Sequence, residues 1–311
     1  MKQRKSLYSY WGPRYWPSWI GLGILRLVCL LPHSLRLAIG RTIGRLAHSI
    51  GGERRAIVRR NIESCFPELS VSERDALAHQ HFLSLGMSVI ELGLGRWADS
   101  KEVERLCEVE NLHYLNDALA SGSGVILLSA HFTTLEFSGR AVKMSGIVYD
   151  AVYRRNRSEF VTEFLRTGRE RSADSTIEKR DIKTMVRRLR EGKTVWYAPD
   201  QSYKRKGAEV VPFFGVPTMH TTATSALARL GKATVVPFFP VRKSDGRYLL
   251  KILPPFENFP TDDPISDVMR YVRILEAHIR TCPEQYFWVH RKFKDLPPGY
   301  DDVYADLDAA K

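Results

Sequence analysis

The chain has 311 residues, 44% of them hydrophobic, which is enough to fill a buried core and speaks against a chain that stays disordered. A formal net charge of +12 predicts an anionic partner: nucleic acid, an anionic membrane surface, a phosphorylated substrate or an acidic protein. The four cysteines, Cys29, Cys65, Cys107 and Cys282, form no CxxC pair, so neither a disulfide framework nor a zinc ribbon is suggested and a reducing compartment is expected.

The first 34 residues have the character of a membrane-facing segment. Lys2, Arg4 and Lys5 come first, followed by Tyr8, Tyr10, Trp11, Tyr15, Trp16 and Trp19, aromatics of the kind that favour the membrane–water interface. The apolar run between Pro17 and Pro32, broken by Arg26, is shorter than the ~20 residues needed to span a bilayer, and no small-residue signal cleavage site follows. Residues 1–34 are therefore expected to form a membrane anchor or interfacial helix, with Arg26 reaching toward headgroups. The competing reading is a buried first helix of a soluble fold.

Residues 35–311 read as a single domain. Its first part, 35–110, is mainly helical: "LRLAIGRTIGRLAHSI" and "SVSERDALAHQHFLSLGMSVIELGLG" keep a three-and-four apolar period, with the Gly51-Gly52 break between them. The segment after that break places Arg54, Arg55, Arg59 and Arg60 on or near one basic face. His79 and His81 invite a metal, but no third ligand lies nearby, and an amphipathic helix explains them.

In 111–311 apolar, β-branched runs ("GVILLSA", "IVYDAVY", "TVWYAPD", "ATVVPFFPV", "RYLLKIL") alternate with helical stretches ("EFVTEFLRTGRE", "DIKTMVRRLREG", "TTATSALARLG", "DVMRYVRILEAHIRTCP"). The fold class predicted is α/β, with a mixed, mostly parallel central sheet flanked by helices behind the helical N-terminal part. Functional groups in such sheets gather beyond the carboxyl ends of the strands.

Three histidines have an acid five places on: His48/Glu53, His131/Glu136 and His290/Asp295. With nine histidines and 35 acids in 311 residues, about one such pair is expected by chance. Only His131 follows a buried-type strand and precedes a helix; His290 sits in a basic C-terminal segment. Glu136 can be a catalytic acid, or it can complete the capping box "TTLE" by reaching back to the amide of Thr133. The ends of the next strands carry Arg154, Arg155, Asn156 and Arg157, then Pro199, Asp200 and Gln201. In a parallel sheet these meet His131 along one rim, a site suited to an anionic substrate. "SGSG" at 121–124 lacks the lysine of a phosphate-binding loop, and no Gly-x-Ser-x-Gly elbow is present.

The ordered series "NIESCFPELS", "HFTTLE", "VYRRN", "DIKTMVRRLREGKTVWYAPDQ", "LARLGKATVVPFFPVR" and "PEQYFWVHRKFK" resembles the late acyltransferases of bacterial lipid A biosynthesis, most closely the lauroyl/palmitoleoyl branch. The chain departs from that pattern at "PDQSYKRKG", where Ser202 stands in an acidic position. The resemblance implies roles for His131 and Glu136 as the His-x4-acid pair, for Arg154, Asn156 and Arg169, and for Asp200 and Gln201. It also implies an acyl carrier protein thioester as donor, the cytoplasmic face of the inner membrane as location, and no metal or nucleotide cofactor.

On this reading His131 removes the proton from the hydroxyl of a 3-hydroxyacyl chain on a Kdo-bearing lipid A precursor, and Glu136 holds the imidazole tautomer. Backbone amides at the following helix start receive the oxyanion, and Arg154, Arg157 and Arg169 bind phosphates or sugar carboxylates. The remaining basic surface is expected to meet anionic lipids and the acidic carrier protein. Two rivals stand beside it. One is an acyl-coenzyme A-dependent glycolipid or lysophospholipid acyltransferase; the other is a basic, non-catalytic surface protein. No nucleic-acid recognition motif is present.

Overall fold

The structure is a computed structural model and describes residues 6–309. Lys2, Arg4 and Lys5 lie outside the described residues. The helical part comprises α1 (Trp16–Val28), α2 (His33–Ile50), α3 (Gly52–Cys65), α4 (Val71–Trp97) and α5 (Ser100–Leu106). The α/β part then runs β1 (Cys107–Glu110), α6 (Leu112–Ala120), β2 (Val125–Leu128), α7 (Leu135–Met144), β3 (Tyr149–Tyr153), α8 (Glu159–Arg169), β4 (Ser175–Glu178), α9 (Ile182–Arg190) and β5 (Thr194–Tyr197). It continues with β6 (Ala208–Phe213), β7 (Val216–Thr221), α10 (Ala223–Gly231), β8 (Thr234–Arg242), β9 (Tyr248–Ile252), α11 (Pro264–Thr281) and the short α12 (Ala305–Ala309).

The long helix α4 is the frame on which the rest is hung. Ser70 and Glu73 close its first turn as a capping box, each satisfying the other's free amide. α2 packs along it through glycine: a Cβ on Gly86 would stand 2.2 Å from the Gly40 carbonyl oxygen, and one on Gly44 would stand 2.3 Å from that of Phe82. Only hydrogen at these positions lets the two backbones approach so closely.

Seven strands form one sheet in the order β1-β9-β8-β2-β5-β3-β4, and every neighbouring pair is parallel except β8/β9. This is the mixed, mostly parallel α/β sheet expected. β6 and β7 form a separate antiparallel hairpin, and this hairpin, β1 and β4 are short elements that the apolar runs did not announce. β2 explains its own sequence. Ile126 and Leu128 enter the large core beneath α9, α10 and α11, while Val125 and Leu127 enter the second core against α6 and α7. A strand buried on both faces has no polar side to alternate with, so it reads as an unbroken apolar run.

Because β2, β5 and β3 are adjacent and parallel, the segments leaving their carboxyl ends share one rim. His131 follows β2, Asp200 and Gln201 follow β5, and Arg154 to Arg157 follow β3. The sheet order thus puts the Asp200 loop between the histidine and the arginines.

α1 has no buried residue, which overturns the reading of a buried first helix. Trp19, Leu22 and Leu25 pack against a cluster built on Leu7, Tyr10, Phe160 and Phe164, while Trp16, Ile20, Ile24 and Leu27 are exposed, together with Leu30. Spacings of three and four place those exposed residues on one helical face. Among the described residues no helix is long and apolar enough to cross a membrane. The α3 arginines do not form a free basic face: Arg54 donates to the Val289 carbonyl, Arg55 to that of His48, Arg59 pairs with Asp75, and Arg60 pairs with Asp306.

Candidate active site

His131 stands three residues beyond the end of β2, in a segment clamped from the far end of the chain. Phe132 bridges Tyr286; the Thr133 amide donates to the Gln285 carbonyl at 2.8 Å and the Phe287 amide to the His131 carbonyl at 3.1 Å. Gln285 is held in turn by both backbone groups of Arg242. Arg242 is buried and ion-paired at 2.6 Å with Glu91 of α4, and it also bonds Ser84, whose hydroxyl meets that of Thr133. The backbone around His131 is thereby fixed to β8, α4 and the C-terminal segment at once.

The imidazole meets Asp200. Nδ1 lies 2.5 Å from Oδ1 of that carboxylate, which is buried, whereas about a third of the His131 side chain is exposed. A carboxylate only accepts, so Nδ1 carries the proton and Nε2 is left as the basic nitrogen of the neutral ring. The Tyr286 hydroxyl donates to the other oxygen, Oδ2, at 3.2 Å. Burial pushes the Asp200 carboxyl up. The His131 charge, its hydrogen bond and the charge of Lys292 outweigh that effect and hold the group below the usual carboxylate range. Asp200 is therefore ionised at neutral pH.

Lys292 lies directly behind. Its buried ammonium donates to the Asp200 carbonyl, faces His220 Nε2 at 3.4 Å and sits 4.6 Å from the centre of the Phe213 ring. Burial pulls its pKa down to about 8, against the opposing pull of Asp200. His131, Asp200, Gln201, Tyr286, Phe287, Trp288, His290 and Lys292 line one narrow cleft.

Several site assignments change on this geometry. Glu136 does not orient His131, and it does not cap the Thr133 amide, which belongs to Gln285. Both of its carboxylate oxygens are taken by Arg169, with Nε donating at 3.0 Å to Oε2 and Nη2 to Oε1. Arg169 consequently spends its fork on Glu136, and on the Val152 carbonyl at 3.3 Å, and is not a free receptor for a phosphate. Asp200 holds the imidazole and does not face outward to bind an anion. The physical reason is direction along the helix: Glu136 is in the first turn of α7, where its side chain leans across to the end of α8 instead of back to the strand.

Arg154, Asn156 and Arg157 are exposed at the end of β3, and Arg155 pairs with Glu178 at 3.2 Å. Gln201 is at the cleft. Ser202, where the chain departs from the family pattern, donates to the Lys294 carbonyl at 2.9 Å and so ties the Asp200 loop to the C-terminal segment. Among the described residues no group of three or more His, Cys, Asp and Glu side chains is placed to hold a metal. His81 is buried with Nδ1 on the Glu284 carbonyl.

Tyr286, His290 and Lys292 escaped the rim argument, because they arrive from a segment with no strand to announce it. The one signal was "PEQYFWVHRKFK" itself, which places a lysine inside a run of buried aromatics.

An ionised aspartate fixes a partly exposed imidazole at the carboxyl edge of the parallel strands, and all four cysteines are free and lie elsewhere. Residues 2–295 match the family described as bacterial lipid A biosynthesis acyltransferase, and the chain belongs to that family. It is 38% identical over 296 residues to the lipid A biosynthesis lauroyltransferase of Escherichia coli K12, covering 94% of this chain and 96% of that one. It is equally identical to the palmitoleoyltransferase of the same organism, over 94% and 95% of the two chains. Identity to its myristoyltransferase is 25%, over 96% and 94%. The protein is an acyltransferase of lipid A biosynthesis.

Proposed function

We propose that the protein moves a fatty acyl chain from an acyl carrier protein thioester to the hydroxyl of a 3-hydroxyacyl chain on a Kdo-bearing lipid A precursor, with His131 as general base. The observation that carries this reading is the hydrogen bond from His131 Nδ1 to Asp200. With the proton fixed on Nδ1, Nε2 accepts the hydroxyl proton as that oxygen attacks the thioester carbonyl. The carbon–sulfur bond then breaks and the thiolate leaves with the same proton, giving ester and free thiol. Asp200 is the positioning residue that stabilises the transient imidazolium. The thioester is already activated and the imidazole supplies the base, so the reaction needs no metal or nucleotide cofactor.

The acceptor is anionic, and Arg154, Asn156 and Arg157, one strand beyond the Asp200 loop, are the groups that meet it. Arg's planar fork suits phosphate and carboxylate. The exposed face of α1 supports a shallow seat for this helix in the headgroup region at the cytoplasmic face of the inner membrane, where anionic lipids lie. The excess of positive charge attracts the acidic carrier protein.

The test is acyl transfer from a series of carrier-protein thioesters, and from the matching acyl-coenzyme A compounds, to a tetra-acylated, Kdo-bearing acceptor. Wild-type transfer from the carrier protein that collapses in His131→Ala supports the reading. Preference for coenzyme A, or full activity in His131→Ala, overturns it.

A further inference from the structure

The oxyanion formed in acyl transfer needs a donor, and two of the amides at the helix start after His131 are already committed. The Thr133 amide is committed to Gln285, and the Leu135 amide to Phe132 at 3.1 Å. The cleft holds another candidate. His290 lines it together with His131 and Asp200, and its Nε2 atom is fully buried without a hydrogen-bond partner. His33 Nδ1 and His81 Nε2 are also unpartnered, but neither residue borders the cleft. A buried polar atom without a partner is costly, so one on a residue that lines the cleft calls for an explanation.

The backbone that carries His290 is held as rigidly as that of His131. Asn61, buried in α3, donates from Nδ2 to the carbonyls of Trp288 at 2.7 Å and His290 at 2.8 Å, and Arg54 donates to the Val289 carbonyl between them at 3.2 Å. The Trp288 indole bonds the Pro283 carbonyl at 2.6 Å, and the His290 amide bonds Phe287, the residue whose own amide holds His131. A turn fixed by this many bonds is what a preorganised oxyanion donor requires. The acid five places after His290 does not claim it: Asp295 faces Ser202 and Lys204.

We propose that His290 is a second catalytic imidazole, donating a hydrogen bond from Nε2–H to the thioester carbonyl oxygen as that oxygen becomes an oxyanion. The inference rests on the acyl-transfer reading above. No proton changes hands at His290; the transferred proton travels through His131 alone. Burial pulls the His290 pKa down to about 4; Asp200 opposes this, and Lys292, Lys294 and His131 reinforce it. The ring is therefore neutral at pH 7 and does not compete with His131 for the hydroxyl proton. A neutral donor also avoids placing a second cation beside the imidazolium that forms on His131.

The experiment compares wild type with His290→Ala, His290→Gln and His290→Phe in the carrier-protein transfer assay, with unfolding midpoints measured alongside. The expected result is a kcat lower by about 10²–10³ in Ala and Phe with KM changed by less than about threefold, and recovery of at least about tenfold in Gln, which keeps a donor. The acid limb of the kcat/KM pH profile keeps its wild-type midpoint in every variant, because the His131–Asp200 pair is untouched. A kcat within about threefold of wild type in His290→Ala overturns the inference. So does an equal loss in Gln and Ala with a displaced acid limb, which marks a residue acting only through His131. Wild-type protein inactive with every donor defeats the acyl-transfer reading itself, an outcome distinct from either.

Discussion

Glu136 gives both oxygens of its carboxylate to Arg169, and His131 takes its partner from Asp200, 69 residues further along the chain. The acid nearest the histidine in sequence is thus a structural brace between α7 and α8, and the acid that orients the imidazole comes from the neighbouring strand end.

Asp200→Asn is expected to leave the fold and KM nearly unchanged while kcat falls by about 10³–10⁴, because an amide can stabilise neither the Nδ1–H tautomer nor the imidazolium. Steady-state transfer kinetics check this. A loss below tenfold would return the orienting role to another group.

The Glu136–Arg169 pair makes a contrasting prediction. Both side chains are about four-fifths buried, so removing one partner strands the other. Glu136→Gln and Arg169→Met are each expected to cost about 2–4 kcal/mol in urea unfolding, with the double variant recovering part of the loss. The midpoint of the acid limb of kcat/KM in Glu136→Gln stays at its wild-type position.

Buried histidines set the acid side of stability. Burial pulls His81 and His278 down to about 4, as it does His290. A folded pKa below the unfolded value near 6.5 means the unfolded chain binds more protons between the two, so stability rises with pH in that window. The protein is expected to lose stability as pH falls from about 6.5 toward 4. Unfolding followed by circular dichroism at intervals across that range, for wild type and His278→Phe, measures it: the variant should show a shallower fall.

Lys292 acts on the alkaline side by the same rule. Its pKa drops from 10.5 to about 8, so between those values the unfolded state again holds more protons and stability again rises with pH. Relative to Lys292→Met, the wild type should gain stability between pH 8 and 10.5. In transfer assays at pH 7 the Met variant should lose kcat, since the Asp200 backbone loses its donor.

The exposed stripe of α1 predicts attachment to anionic vesicles. Replacing Ile20, Ile24 and Leu27 together with serine removes apolar area from solvent without opening a cavity, so the unfolding midpoint should hold within a few degrees while vesicle co-sedimentation drops by at least about tenfold. Unchanged binding would place the membrane contact elsewhere.

The sequence by itself determined the α/β class, because strands buried on both faces must be apolar throughout and amphipathic helices must repeat every three to four residues. It singled out His131 as the candidate site residue, since the end of a buried strand is where a parallel sheet exposes side chains, and it placed Asp200 and Gln201 on the same rim. What tertiary structure decided was pairing. Whether Glu136 or Asp200 meets the imidazole depends on which way a side chain leaves the first turn of α7, and on β5 lying beside β2; local spacing encodes neither. Tyr286, His290 and Lys292 reach the site only because the C-terminal segment crosses the strand end, held there by Gln285, Asn61 and Arg242, contacts between residues 43 to 229 positions apart. Long-range contacts of this kind leave no periodicity in a sequence, so only the folded chain reveals them.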